Sequence, residues 1–152
     1  MRAILQRVRH ADVTIEGKTV GKIEQGLMVL LGVMKGDDVE QADFLAEKTA
    51  NLRIFEDDNG KMNRSLLDIG GGMLIVSNFT LGADARHGRR PSFTDSAKPD
   101  IANALYERFI AAVKDTGVGL VQTGEFGADM QVSLQNDGPV TILLDTDEIM
   151  KR

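Results

Sequence analysis

Leu27-Met28-Val29-Leu30-Leu31-Gly32-Val33 decides the fold, because seven residues without a polar side chain read as a strand buried on both faces. The run is far too short to span a bilayer. On its N-terminal side, residues 2–15 read as an extended segment, with Val8, Val13 and Ile15 set among polar neighbours. Glu16-Gly17-Lys18 turns the chain, Thr19 to Ile23 returns as a short strand, and Gln25-Gly26 turns it again. On the C-terminal side the period changes. Val39, Ala42, Leu45, Ala46, Thr49 and Leu52 fall on one stripe of a helix over residues 38–52, and Asp37 with Glu40 gives it a capping-box start.

Further on, Ile54-Phe55 is short and apolar, and Asp57-Asp58-Asn59-Gly60 is a strong turn signal. Gly70-Gly71-Gly72 breaks the chain before Met73 to Leu81, which reads as a central strand. Residues 82–97 form a long loop, a length that often carries function. Pro99 opens a second helix, where its missing N–H costs nothing. Ile101, Leu105, Phe109, Ala112 and Val113 form the expected buried stripe, and Gly117 ends the helix. Three short strands follow over Val118 to Gln122, Met130 to Leu134 and Val140 to Leu144, the last two joined by Asn136-Asp137-Gly138-Pro139. About seven strands and two helices result, without regular alternation. The expected fold is α/β: one domain over 1–152 with a mixed or antiparallel curled sheet, barrel-like, and two packed helices.

The chain has no cysteine, which excludes disulfides, Cys-ligated zinc and thiol nucleophiles. The opening Met1-Arg2-Ala3-Ile4-Leu5-Gln6-Arg7 places charge where a signal peptide needs an apolar stretch, so a soluble cytoplasmic protein without membrane contact is expected. The net charge of −5 makes the chain no obvious binder of nucleic acid. One local exception is Arg86-His87-Gly88-Arg89-Arg90, which reads equally as a phosphate-contacting patch and as a solvated loop. The two histidines, His10 and His87, have no Ser or Asp at a spacing that proves a triad. No HExxH, clustered carboxylate or Walker pattern occurs, so neither metal nor cofactor is expected.

Two spots stand out. Ser77-Asn78-Phe79-Thr80-Leu81 interrupts an apolar run with three polar side chains. It is either one polar face of a strand or a strand end whose N–H and hydroxyl groups meet a reacting carbonyl. Asn136-Asp137-Gly138-Pro139-Val140-Thr141 places a proline at a strand head, where it removes a ladder donor. It is either a rigid hairpin or a stiff backbone probe.

At these spots the sequence resembles the D-aminoacyl-tRNA deacylase family, and the resemblance runs along essentially the whole chain. It is carried by Met1 to Val8, Asn51-Leu52-Arg53-Ile54-Phe55, Gly60-Lys61-Met62-Asn63, Gly88-Arg89-Arg90-Pro91-Ser92-Phe93 and Phe126-Gly127-Ala128-Asp129-Met130-Gln131-Val132. The family's Asn-x-Gly-Pro-Val-Thr signature is intact at Asn136 to Thr141. Its Ser-Gln-Phe-Thr-Leu signature is present with Asn78 in place of Gln, an arm one methylene shorter. The resemblance implies a homodimer acting on the aminoacyl 3′ end of tRNA. Each site would join Ser77, Asn78, Phe79 and Thr80 of one chain to Asn136, Gly138, Pro139, Val140 and Thr141 of the other, with Gly138-Pro139 in the cis form.

The implied reaction is hydrolysis of D-aminoacyl-tRNA, and of glycyl-tRNA mischarged onto tRNA-Ala, with L-aminoacyl esters rejected. Backbone donors at Phe79 and Thr80 would stabilise the oxyanion. The terminal 2′-OH would position or activate the attacking water, so that catalysis is mostly positioning. Thr80 as a nucleophile ranks second, for want of an adjacent base. Rejection of an L side chain by a rigid Gly-Pro backbone is discrimination by clash. Arg86, Arg89 and Arg90 are the candidate tRNA contacts. Two other functions compete: an RNA-independent esterase of D-amino-acid derivatives, and a non-catalytic tRNA-binding dimer spoiled at Asn78.

Overall fold

A computed structural model describes residues 1–150. In chain order the elements are β1 (Arg2–Ile15), β2 (Lys18–Ile23), β3 (Gly26–Gly32), α1 (Val39–Asn51), β4 (Phe55–Glu56), β5 (Met62–Arg64), α2 (Leu66–Ile69), β6 (Gly72–Ser77), a 3-10 turn (Phe79–Gly82), α3 (Pro99–Asp115), β7 (Leu120–Thr123), β8 (Gln131–Asp145) and α4 (Thr146–Ile149). The sheet is mixed, as expected. β8 runs antiparallel along β1 from the Arg2–Asp145 pair to the Thr14–Gln131 pair. The opposite edge of β1 is therefore shared, its first half by β3 and its second half by β2. β3, β6 and β7 continue in parallel.

The sheet curls until β7 approaches β2. A Cβ at Gly21 would lie 2.8 Å from the Thr123 carbonyl oxygen, so only glycine permits this approach. Val8, Ala11, Val13, Ile23, Met28, Leu74 and Val76 fill the inside of the curl. The other face buries Ala3, Leu5, Leu27, Val29, Leu31, Met73 and Ile75 under α1 and α3. Leu27 to Leu31 thus feeds both cores in alternation, which is why no polar residue is tolerated there. Each large side chain so buried contributes about 1.5–3 kcal/mol.

Several expectations need correction. Among the described residues, two of the four α-helices are single turns, too short to show a helical period, and β4–β5 adds a small hairpin around the Asp57–Gly60 turn. The cap of α1 is Asp38, paired with Gln41, rather than Asp37 with Glu40. Asp37 instead accepts the Met34 N–H at 2.7 Å and the Met1 ammonium at 2.8 Å. Ile101 is exposed, and the buried stripe of α3 is Ala102, Leu105, Tyr106, Phe109, Ile110 and Val113. The central strand stops at Ser77 rather than Leu81, because Asn78 caps the 3-10 turn. The last two expected strands are one. Both halves of β8 pair with β1 in the same sense, so Asn136 to Thr141 is an outward excursion of a continuous strand, not a hairpin.

Candidate active site

β6 ends in a local competition that Asn78 wins. Its N–H donates to the Leu31 carbonyl at 2.8 Å, the last rung beside β3. Its side-chain Oδ1 then accepts the Thr80 N–H at 3.1 Å and also the Thr80 hydroxyl. A short carboxamide is well suited to such a cap, since it satisfies a donor that the turn leaves open. The turn is fixed from outside as well. Ser96 Oγ donates to the Phe79 carbonyl at 2.8 Å, and the Phe79 and Phe93 rings meet edge to face at 5.2 Å.

This turn opens on a cavity of about 900 Å³. Leu30, Val33, Val76 and Val132 give it apolar walls; Phe93 and Ser96 to Pro99 close one side and Phe126 to Met130 another. Lys98 and Asp129 are its charged lining groups, and neither His10 nor His87 reaches it. No hydrogen bond is made by the Phe79 N–H within the described residues, so one backbone donor is available to a ligand oxygen. The Thr80 N–H, expected as the second donor, is held by Asn78. The Thr80 hydroxyl gives its proton to a carboxamide oxygen, which is not a base, so nucleophilic attack by Thr80 has no proton acceptor there. Among the described residues, no group of His, Asp or Glu side chains is arranged to hold a metal ion.

The second signature segment is equally well fixed. Between the Gln6–Thr141 and His10–Gln135 pairs, β8 advances six residues while β1 advances four, so two extra residues are extruded. Asn136 straps the base of this excursion. Its Oδ1 accepts the Val140 N–H at 2.8 Å, and its Nδ2 donates to the Val140 carbonyl at 3.1 Å, Thr141 Oγ1 at 3.1 Å and Gln6 Oε1 at 3.2 Å. Arg7, almost wholly buried, donates to the Asp137 carbonyl at 2.9 Å and the Ile54 carbonyl at 2.8 Å. The Gly138-Pro139 bond is cis, and both residues are exposed.

Within one chain the two segments do not meet. Ser77 is level with Leu31, and so with Ala3 of β1, whereas the excursion faces Gln6 to Val8 from beyond β1. Three strand spacings and several residues of strand place them roughly 20 Å apart. None of Asn136, Gly138, Pro139, Val140 and Thr141 lines the cavity.

The arginine cluster divides. Asp84 and Ser92 exchange backbone hydrogen bonds of 2.7 and 2.8 Å, making residues 84–92 a small pinched loop. Arg86 binds both Asp84 oxygens, at 2.9 and 2.7 Å, and with its own N–H holds that carboxyl down to about 2. Arg89 and Arg90 are exposed and bond to nothing among the described residues. Ser96 and Lys98 are parts that the sequence reading missed, and Phe93 and Arg7 entered it only inside longer matching stretches, with no role of their own. Nothing in their spacing marks them, because a loop and a single strand position bring them in from afar.

The fold and these two segments define a family. Residues 4–145 match the family model described as D-Tyr-tRNA(Tyr) deacylase. The chain is 64% identical over 149 residues to the D-aminoacyl-tRNA deacylase of Thermosipho africanus (strain TCF52B), covering 98% of this chain and 99% of that one. It is 59% identical over 146 residues to that of Roseiflexus castenholzii (strain DSM 13941 / HLO8), covering 96% and 92%. Among solved structures, the c-Myc DNA Unwinding Element Binding Protein superposes with a TM-score of 0.90 at 39% identity, over 95% of this chain and 98% of that one. The chain belongs to the D-Tyr-tRNA(Tyr) deacylase family.

Proposed function

We propose that this protein is a homodimeric, cytoplasmic hydrolase that cleaves the ester of D-aminoacyl-tRNA, releasing tRNA and the free D-amino acid. One observation carries the dimer. The Ser77–Thr80 turn borders a cavity with no Gly138-Pro139 in it, while that pair projects from the far edge of the same sheet. A complete site then needs a second copy.

The chemistry follows from the groups present. The ester carbonyl oxygen faces the Phe79 N–H, a donor already in place before charge develops, which is where such a donor lowers a barrier most. Water attacks the carbonyl carbon, and the terminal 2′-OH of the tRNA aids its placement. No side-chain base is needed. The Gly138-Pro139 backbone of the partner subunit, held by Asn136 and Arg7, occupies the space an L side chain would enter. Glycine has nothing to reject, so glycyl-tRNA is also a substrate. Arg89 and Arg90 approach the phosphates.

Subunit mixing tests the composite site. Thr80→Val chains, slow on any ester, and Pro139→Ala chains, which should admit L-tyrosyl-tRNA, are mixed and allowed to exchange. Every mixed dimer then holds one wild-type site, which rejects the L ester, and one doubly altered site, which is slow on it, so hydrolysis of L-tyrosyl-tRNA should fall below the mean of the two parts. A mixture that keeps that mean contradicts the shared site. An RNA-independent esterase would show no steep loss of affinity with salt, whereas a tRNA enzyme should.

A further inference from the structure

We infer that Asn78 is a positioning residue that makes the Thr80 hydroxyl a hydrogen-bond acceptor for the attacking water. The inference rests on the hydrolytic reading above. A threonine hydroxyl has one proton and two lone pairs. Here the proton points to Asn78 Oδ1, and the same oxygen holds the Thr80 N–H at 3.1 Å. Both donors of Thr80 are thus turned back along the chain. Its Oγ1 lone pairs remain, on a residue that is exposed and lines the cavity. A water that donates one proton to this oxygen keeps a lone pair free for the ester carbon.

The arrangement depends on the length of the Asn78 arm. An Asn side chain closes readily onto the N–H two residues ahead. A longer Gln arm makes a larger ring and loses more rotamer freedom on closing. The resulting site has one free backbone donor, at Phe79, and one oriented acceptor, at Thr80. The reaction balances without either side chain changing protonation. The water oxygen bonds to the carbonyl carbon, the bond from that carbon to the tRNA 3′-oxygen breaks, and the water proton ends on that 3′-oxygen.

A double-mutant cycle under single-turnover conditions tests this, with D-tyrosyl-tRNA and enzyme in excess. Asn78→Ala and Thr80→Val should each slow deacylation roughly three- to tenfold, the size of one neutral hydrogen bond. Affinity for the tRNA should stay within about twofold, since the contact acts on water rather than on RNA. The double variant should be no slower than the slower single one, because Asn78 acts only through Thr80. Melting temperatures of all four proteins separate this from loss of the turn. Effects that multiply in the double variant overturn the inference, as does an Asn78→Ala protein that melts earlier but reacts at the wild-type rate. Wild-type protein inactive on this substrate overturns the hydrolytic reading as well.

Discussion

Replacing Asn136 with alanine removes the strap across the Gly138-Pro139 excursion. The lost bonds are unequal. The N–H and carbonyl of Val140 lie at a buried residue and are satisfied by the Asn136 carboxamide, at 2.8 and 3.1 Å. The contacts to Thr141 and Gln6 share the same two amide protons with Val140, and Thr141 is exposed, so water replaces much of what they give. Two neutral hydrogen bonds to buried backbone at about 0.5–1.5 kcal/mol each make a cost of about 1–3 kcal/mol. For a chain of this size that lowers Tm by roughly 2–12 °C. The local consequence should be sharper. Without the strap the excursion is held on one side only, by Arg7, and hydrolysis of L-tyrosyl-tRNA should rise relative to D-tyrosyl-tRNA. Thermal unfolding and paired single-turnover assays read both effects. An unchanged melting point together with an unchanged D to L ratio would refute the reasoning.

Thr49 Oγ1 is buried without a hydrogen-bond partner, so Thr49→Val, similar in volume, should stabilise the fold by roughly 1 kcal/mol; a lowered urea midpoint contradicts this. Tyr106 donates to the Ile75 carbonyl at 2.9 Å, and burial pushes its hydroxyl from 10.0 up to about 12. The folded state therefore favours the neutral phenol, so stability is full below pH 10.0 and is lost as pH rises toward about 12. Tyr106→Phe should remove that alkaline loss at a cost of about 0.5–1.5 kcal/mol near neutral pH. The cost is modest because the Gly124 N–H still reaches the Ile75 carbonyl at 3.2 Å; an equally steep alkaline loss in the variant contradicts the assignment. Arg89→Ala and Arg90→Ala should each flatten the log-log salt dependence of tRNA binding by roughly 0.7–0.9. Arg86→Ala should flatten it less, since its charge is held by Asp84; unchanged slopes for Arg89 and Arg90 make the cluster a solvated loop.

The apolar run at Leu27 to Leu31 was legible because both faces of β3 are buried, so composition alone reports it. The two long helices were legible for a different reason: each buries one stripe, which the helical period reports. The excursion at Asn136 to Thr141 was not. Asp-Gly-Pro between two apolar segments reads locally as a hairpin, and only the pairing of both segments with β1 shows one continuous strand. Asn78 reads from sequence as a missing reach. In the fold it is a cap, whose partner two residues ahead becomes visible only once the strand is seen to stop at Ser77. Arg7 appears in the sequence only within the matching stretch Met1 to Val8; its role stays hidden there, because it depends on carbonyls contributed by residues 54 and 137.

The central claim is chiral hydrolysis of an aminoacyl-tRNA ester by positioning alone. Single-turnover deacylation of D-tyrosyl-tRNA and L-tyrosyl-tRNA, matched in tRNA and run in the presence of a chelator, tests it most directly. The D ester should be cleaved at a rate unaffected by the chelator while the L ester survives. Equal cleavage of both esters, or activity lost in chelator and restored by one added metal, would contradict it.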